Sequence, residues 1–143
     1  MCHADQPDPH WDGTYVTVVS PADSHTSLFV VIELWGCAGI RFGGPNDEAI
    51  GGHPLHGKGL DGYRAHEVIN SAWIEDAIRV NSVHPHHSGD PFRRLHHYVL
   101  LFHDEMLEAL ADGIEARLTE GTRREILTSL TGNLIDQPYR RAQ

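Results

Sequence analysis

Residues 43–62 hold seven glycines and two prolines and follow neither a helical nor a strand period. A stretch of this kind supplies no regular core element, so the fold has to be built from the segments that flank it. Loops longer than about 12 to 15 residues without structure of their own are usually functional or mobile. N-terminal to the stretch, residues 14–20 (TYVTVVS) and 27–35 (SLFVVIELW) are dense in β-branched and aromatic side chains, with a Pro/Asp/Ser turn between them. They are expected to form two antiparallel strands. In the second, Leu28, Val30, Ile32 and Leu34 alternate with Phe29, Val31, Glu33 and Trp35, so both faces are nearly apolar, as in a central strand. Ile40 to Phe42 read as a short continuation.

C-terminal to the stretch, residues 63–69 (YRAHEVI) alternate weakly as a strand. Asn70 or Ser71 then caps a helix to about Val83, with Glu75 and Arg79 paired at i,i+4 and Pro85 as the stop. Its inward stripe is expected to be Trp73, Ala77 and Val80, beside Ile74 and Ile78. Residues 95–103 (LHHYVLLFH) form a strand with Tyr98, Leu100 and Phe102 on one face and His97, Val99, Leu101 and His103 on the other. Residues 106–111 and 114–118 flank Asp112-Gly113, a strong hairpin signal. A helical reading of 104–118 competes, because Leu, Glu and Ala dominate it. Thr122-Arg-Arg-Glu125 is a capping box that opens a last helix with Ile126, Leu127, Leu130 and Leu134 inward, ended by Pro138. The expected fold class is α+β, a mainly antiparallel sheet of five to six strands with one central and one C-terminal helix. Residues 1–13 around Trp11 form an N-terminal arm, 14–135 a single domain and 136–143 a tail.

The 143 residues carry 11 Lys and Arg against 20 Asp and Glu, a net charge of -9. No basic cluster offsets it, so nucleic acid and acidic lipid surfaces are disfavoured as partners. No apolar run approaches the roughly 20 residues of a membrane span, and the first residues lack a leader pattern, so the expected setting is the cytoplasm. Cys2 and Cys37 do not make a disulfide framework, and Cys37 reads as a small buried residue. A homodimer is compatible with this size.

Twelve histidines stand out in this composition. His is the commonest metal ligand and the side chain that titrates near neutrality. His84, His86, His87, His96 and His97 gather around one breaker-rich loop, 84–91. Ligands of one ion sit about 2.1 Å from it, so their donor atoms lie within about 4 Å of each other. Adjacent strand residues point to opposite faces, so only one of His96 and His97 can serve such a site. A second constellation, Asp47 and Glu48 followed by His53 and His56, lies in the Gly-rich stretch, where glycine lets backbone approach a ligand. The two loops are expected to meet at one end of the sheet.

Three motif matches fail. Gly52 to Lys58 resembles the start of a phosphate loop, but Gly59 stands where Ser or Thr is needed. His66-Glu67 lacks a second His four positions on, and His103-Asp104-Glu105 reads as a polar strand end. Ser71 and Ser82 are explained by helix ends.

Three functions follow as expectations. The leading one is a small metal-dependent enzyme acting on a small molecule. His53, His56, His84, His86, His87, His96 and His97 supply the candidate ligands of a divalent Zn or Fe ion, and Asp47 or Glu48 is the base or a further ligand. The second is a non-catalytic acidic domain that binds a ligand or protein. The third is a metal-free lyase or isomerase in which one His and one carboxylate move a proton.

Overall fold

A computed structural model describes residues 25–136. The expected strand at 14–20, the arm and Trp11, and the tail beyond Asp136 lie outside them. The chain divides into two compact units, one containing residues 25–31 and 116–136 and the other residues 32–115. The elements are β1 (Ser27–Trp35), β2 (Gly39–Gly43), a 3-10 helix (Asp47–Gly52), β3 (Ala65–Glu67), α1 (Ala72–Asn81), α2 (Asp90–Arg93), β4 (His96–Leu101), β5 (Met106–Ala111), β6 (Gly113–Gly121) and α3 (Arg123–Asp136). The fold is α+β, with six strands among the described residues. They form a four-stranded antiparallel sheet in the order β2-β5-β4-β3 and a two-stranded sheet of β1 and β6.

Residues 106–111 and 113–121 are strands, as the Asp112-Gly113 signal predicts, but the two do not pair as a hairpin. β5 lies between β2 and β4, and β6 pairs with β1. The corner between β5 and β6 is held by the Asp112 N–H donating to the Trp35 carbonyl at 2.8 Å.

The register of the four-stranded sheet sets Arg41, Glu108, Val99 and His66 in one line across β2, β5, β4 and β3. Directly opposed residues share a face, so these four point the same way. One rung along, Gly39, Leu110 and His97 share that face; one rung the other way are Met106 and Leu101. Val99, Leu101 and Met106 form a buried cluster with Ile50, Leu55, Leu60 and Val68 packed on it. The Gly-rich stretch is therefore an ordered cover over half of this face. Its apolar residues follow no single period because the 3-10 helix and successive turns carry them.

At the other end of the face the start of α1 takes over. Ser71 caps the helix, its Oγ accepting the Ile74 N–H at 3.3 Å. Trp73 lies against Gly39, where a Cβ would stand 3.1 Å from the ring, so glycine is what lets the indole settle on β2. The rest of the helix departs from expectation. Val80 is 61% exposed and not part of an inward stripe, and Arg79 pairs with Asp76 at 3.0 Å rather than with Glu75.

In the unit holding 116–136, the capping box forms as read. The Glu125 carboxylate accepts from the Thr122 N–H and hydroxyl, both at 2.8 Å, and Thr122 Oγ1 accepts from the Glu125 N–H. Ile126 and Leu130 are half-buried, whereas Leu127 and Leu134 of the expected inward set are exposed. Cys37, expected to be buried, is exposed.

Candidate functional site

Two side chains that ionise, and one hydroxyl, are buried where the apolar face meets the start of α1. His97, Glu108 and Ser71 are 4%, 6% and 4% exposed. Burying a carboxylate in an apolar sheet is costly unless its oxygens are partnered. Here Glu108 Oε2 lies 2.9 Å from His97 Nε2, and His97 Nδ1 lies 2.8 Å from Ser71 Oγ. The directions follow by elimination. A carboxylate only accepts, so Nε2 carries the proton and donates to Glu108. In the neutral ring Nδ1 is then the acceptor, the Ser71 hydroxyl donates to it, and the lone pairs of Oγ remain for the Ile74 N–H. The result is a one-way chain from helix backbone to hydroxyl to imidazole to carboxylate.

Burial lowers the His97 pKa from its ordinary value, outweighing the hydrogen bond and charge of Glu108, which raise it. The shift favours the neutral imidazole, in which Nδ1 accepts from Ser71; an imidazolium would donate from both nitrogens. Trp73 packs edge-on against the ring, 5.2 Å between centroids at 85°, and fixes its plane.

The second oxygen of Glu108 is held differently. Oε1 lies 3.7 Å from an Arg41 nitrogen and 3.8 Å from His53 Nε2, both beyond hydrogen-bonding distance. His53 Nδ1 accepts the Leu55 N–H, which leaves its Nε2 as a donor facing Oε1. Arg41 is held by stacking, its guanidinium 3.9 Å from the Trp73 ring centroid. With its side chain 58% exposed, it is the solvent-facing member of the group. Two N–H groups thus flank a carboxylate oxygen without closing on it.

The expected site residues distribute unevenly. His53 and His97 come together, joined through Glu108. His96 points to the opposite face and pairs with Glu67 at 2.6 Å, as strand alternation requires. Asp47 accepts from the Tyr63 hydroxyl and lies 3.9 Å from His103 Nε2, and the Tyr63 hydrogen bond lowers its pKa. His103 is bonded to Asp104 at 2.8 Å, which raises its pKa. Glu48 sits in the first turn of the 3-10 helix and is exposed, as is His56. His84 and His86 are neighbours, 5.9 Å between ring centroids, and His87 lies 6.1 Å from the Phe92 ring. None of the three has an ion pair or side-chain hydrogen bond with Asp47 or Glu48. Of the Gly-rich stretch, His53 lies against β5, its Nε2 3.8 Å from Glu108 Oε1.

Among the described residues no three His, Cys, Asp or Glu side chains are gathered so as to hold a metal ion. Within 32–115 a shallow cleft of about 220 Å3 opens elsewhere, lined by Phe92, Arg94, Leu95 and Asp112 among others, and touches none of the polar group. We place the candidate site at the polar group because its chemistry, rather than its volume, is distinctive.

Sequence reasoning passed over Glu108, Arg41 and the role of Ser71 beyond its cap. Comparison of the chain with protein-family models, with curated proteins and with solved structures found no match in any of the three. No helix among the described residues is long and apolar enough to cross a membrane.

Proposed function

We propose that this chain is a metal-free acid–base enzyme acting on a small molecule, with Glu108 as the base and His97 as the residue that positions it. One observation carries the reading. The Glu108 carboxylate is pinned at Oε2 by the buried Ser71–His97 chain and, among the described residues, left without a hydrogen bond at Oε1, 3.7 Å from the solvent-facing Arg41. A general base needs one free, oriented lone pair within reach of substrate, and a fixed second oxygen supplies the orientation. Oε1 would take a proton from a substrate carbon or hydroxyl and return it to a neighbouring atom, as an isomerase does, so no co-reactant is consumed. Ser71 and His97 touch no substrate in this scheme.

The test is solvent exchange. The protein is incubated in deuterated buffer with a panel of small hydroxy and keto acids, and loss of substrate C–H signal is followed by proton NMR. Exchange that survives a chelator and is lost in Glu108→Gln supports the reading. No exchange across the panel, or exchange indifferent to that substitution, overturns it. Exchange that is lost on chelation and restored by Zn or Fe would instead support the divalent-ion enzyme, with His53, His97 and Glu108 turned onto a common ion.

A further inference from the structure

The geometry points to Arg41 as an anchor for a carboxylate, which makes the ligand of this site a small organic acid. The inference rests on the site proposed above and adds the class of molecule it takes. Arg41 has five N–H donors, and among the described residues its only polar contact is the 3.7 Å approach to Glu108 Oε1, too long for a hydrogen bond. Stacking on Trp73 at 3.9 Å fixes the plane of the guanidinium without using any of those donors. A planar fork that is oriented, partly exposed and unspent matches a carboxylate bidentately. His53 Nε2, on a buried side chain, lies 3.8 Å from the same oxygen.

The same geometry gives Arg41 a second role in this scheme. A ligand carboxylate seated here comes close to Glu108, and the like charges repel. Arg41 and Glu108 are directly opposed in the β2–β5 register and 3.7 Å apart, so the guanidinium is close enough to Glu108 to offset its charge as well as that of the ligand. The rest of the ligand is then carried toward Oε1. A neutral amide of the same shape offers the fork one uncharged acceptor in place of two charged ones, and should show no saturable binding over the same range.

The experiment reads binding to the full chain and needs no turnover. Acetate, propionate and lactate are titrated into the protein against sodium chloride and acetamide at matched concentration, and the Trp73 indole N–H and the His97 ring signals are read by NMR. The carboxylates are expected to bind saturably with a Kd of about 1 mM, while chloride and acetamide do not. Arg41→Gln should weaken binding about tenfold or more, and Arg41→Lys, which keeps the charge and loses the fork, should fall between. Glu108→Gln should bind about two- to fivefold tighter, the size of one partly screened like-charge contact removed. Thermal melting shows whether each variant is folded, and Arg41→Lys serves if Arg41→Gln is not. No saturable carboxylate binding to the native chain, or binding unchanged in either folded Arg41 variant, overturns the inference. Carboxylate binding without any proton exchange would sink the acid–base reading and leave the anchor standing. Exchange with binding indifferent to Arg41 would do the reverse.

Discussion

His97 and Glu108 are not cross-strand partners. Glu108 stands opposite Val99 and His97 opposite Leu110, yet their side chains meet diagonally across β4 and β5, Nε2 to Oε2 at 2.9 Å. Diagonal neighbours on an antiparallel face are within reach of long side chains only when each leans toward the other. The lean is imposed from the ends of the chain of hydrogen bonds, by Ser71 on the imidazole and by the absence of any closer partner for the carboxylate.

Removing the carboxylate should therefore cost more than a surface ion pair does. Glu108→Ala leaves the His97 Nε2–H buried without an acceptor, and is expected to destabilise the protein by about 1–3 kcal/mol. Glu108→Gln keeps an oxygen for that N–H and should cost less. Urea denaturation of both variants checks the order, and equal losses would show that the hydrogen bond is not what holds the pair.

Stability should depend on pH through His97. Its pKa is lowered in the folded chain from an ordinary value of 6.5, first because burial penalises the imidazolium. The unfolded state then binds the proton more readily, so the contribution is fully present above 6.5 and is lost as the pH falls from 6.5 through the folded value. Glu108, Arg41 and His53 are the charged or titratable groups that face the ring and share in the effect. His103 acts in the opposite sense. Its pKa is raised by Asp104, so its contribution is present at low pH and is lost as pH rises through the folded value. Unfolding midpoints measured across this range should fall on acidification, and the fall should be smaller in His97→Gln. An unchanged slope in that variant would assign the acid sensitivity to another group.

The two serines at the ends of α1 offer a matched comparison. Ser71 Oγ caps the helix and also donates to the buried His97 Nδ1, whereas Ser82 Oγ bonds only the Arg79 carbonyl in an exposed position. Ser71→Ala should cost about 1–3 kcal/mol, a lost cap together with an orphaned imidazole nitrogen. Ser82→Ala should cost about 0.5 kcal/mol or less. If the two losses are alike, Ser71 acts as a cap and nothing more.

What was legible in the sequence was local. The Ser71 cap and the Thr122–Glu125 box are i,i+3 patterns that the backbone itself enforces, and both form. The strand at 27–35 follows from its β-branched and aromatic density, the one at 96–101 from side-chain alternation, and the one at 106–111 from the turn signal at Asp112-Gly113. Pairing does not follow from it, which is why the Asp112-Gly113 turn misled: the chain turns there, but β6 finds β1, far away in sequence. The site was half legible. His53 and His97 were among the candidates, and the opposite orientation of His96 was required by the period of two. Glu108 could have been found from one signal, a glutamate alternating with Met106 and Leu110 on the inward face of an otherwise apolar strand. Arg41 and Trp73 could not, because their stacking depends on Gly39 being opposite Leu110 and on α1 crossing that point.

The corner joining β5 to β6 depends on the absence of one side chain. Gly36 has φ +56, a region costly to residues with a Cβ, and a Cβ placed there would stand 2.2 Å from Asp112 Oδ2. Both obstacles act at the position where the Asp112 N–H bonds the Trp35 carbonyl. Gly36→Ala should thus destabilise by about 1–3 kcal/mol, part from backbone strain and part from displacing Asp112. The two parts separate in the double variant Gly36→Ala/Asp112→Ala, which removes the clash and leaves the strain. Gly36→Ala should therefore cost less in the Asp112→Ala background than in the native chain, as read in a double-mutant cycle by urea denaturation. Strict additivity of the two substitutions would mean that Asp112 swings aside freely and that the backbone alone requires glycine.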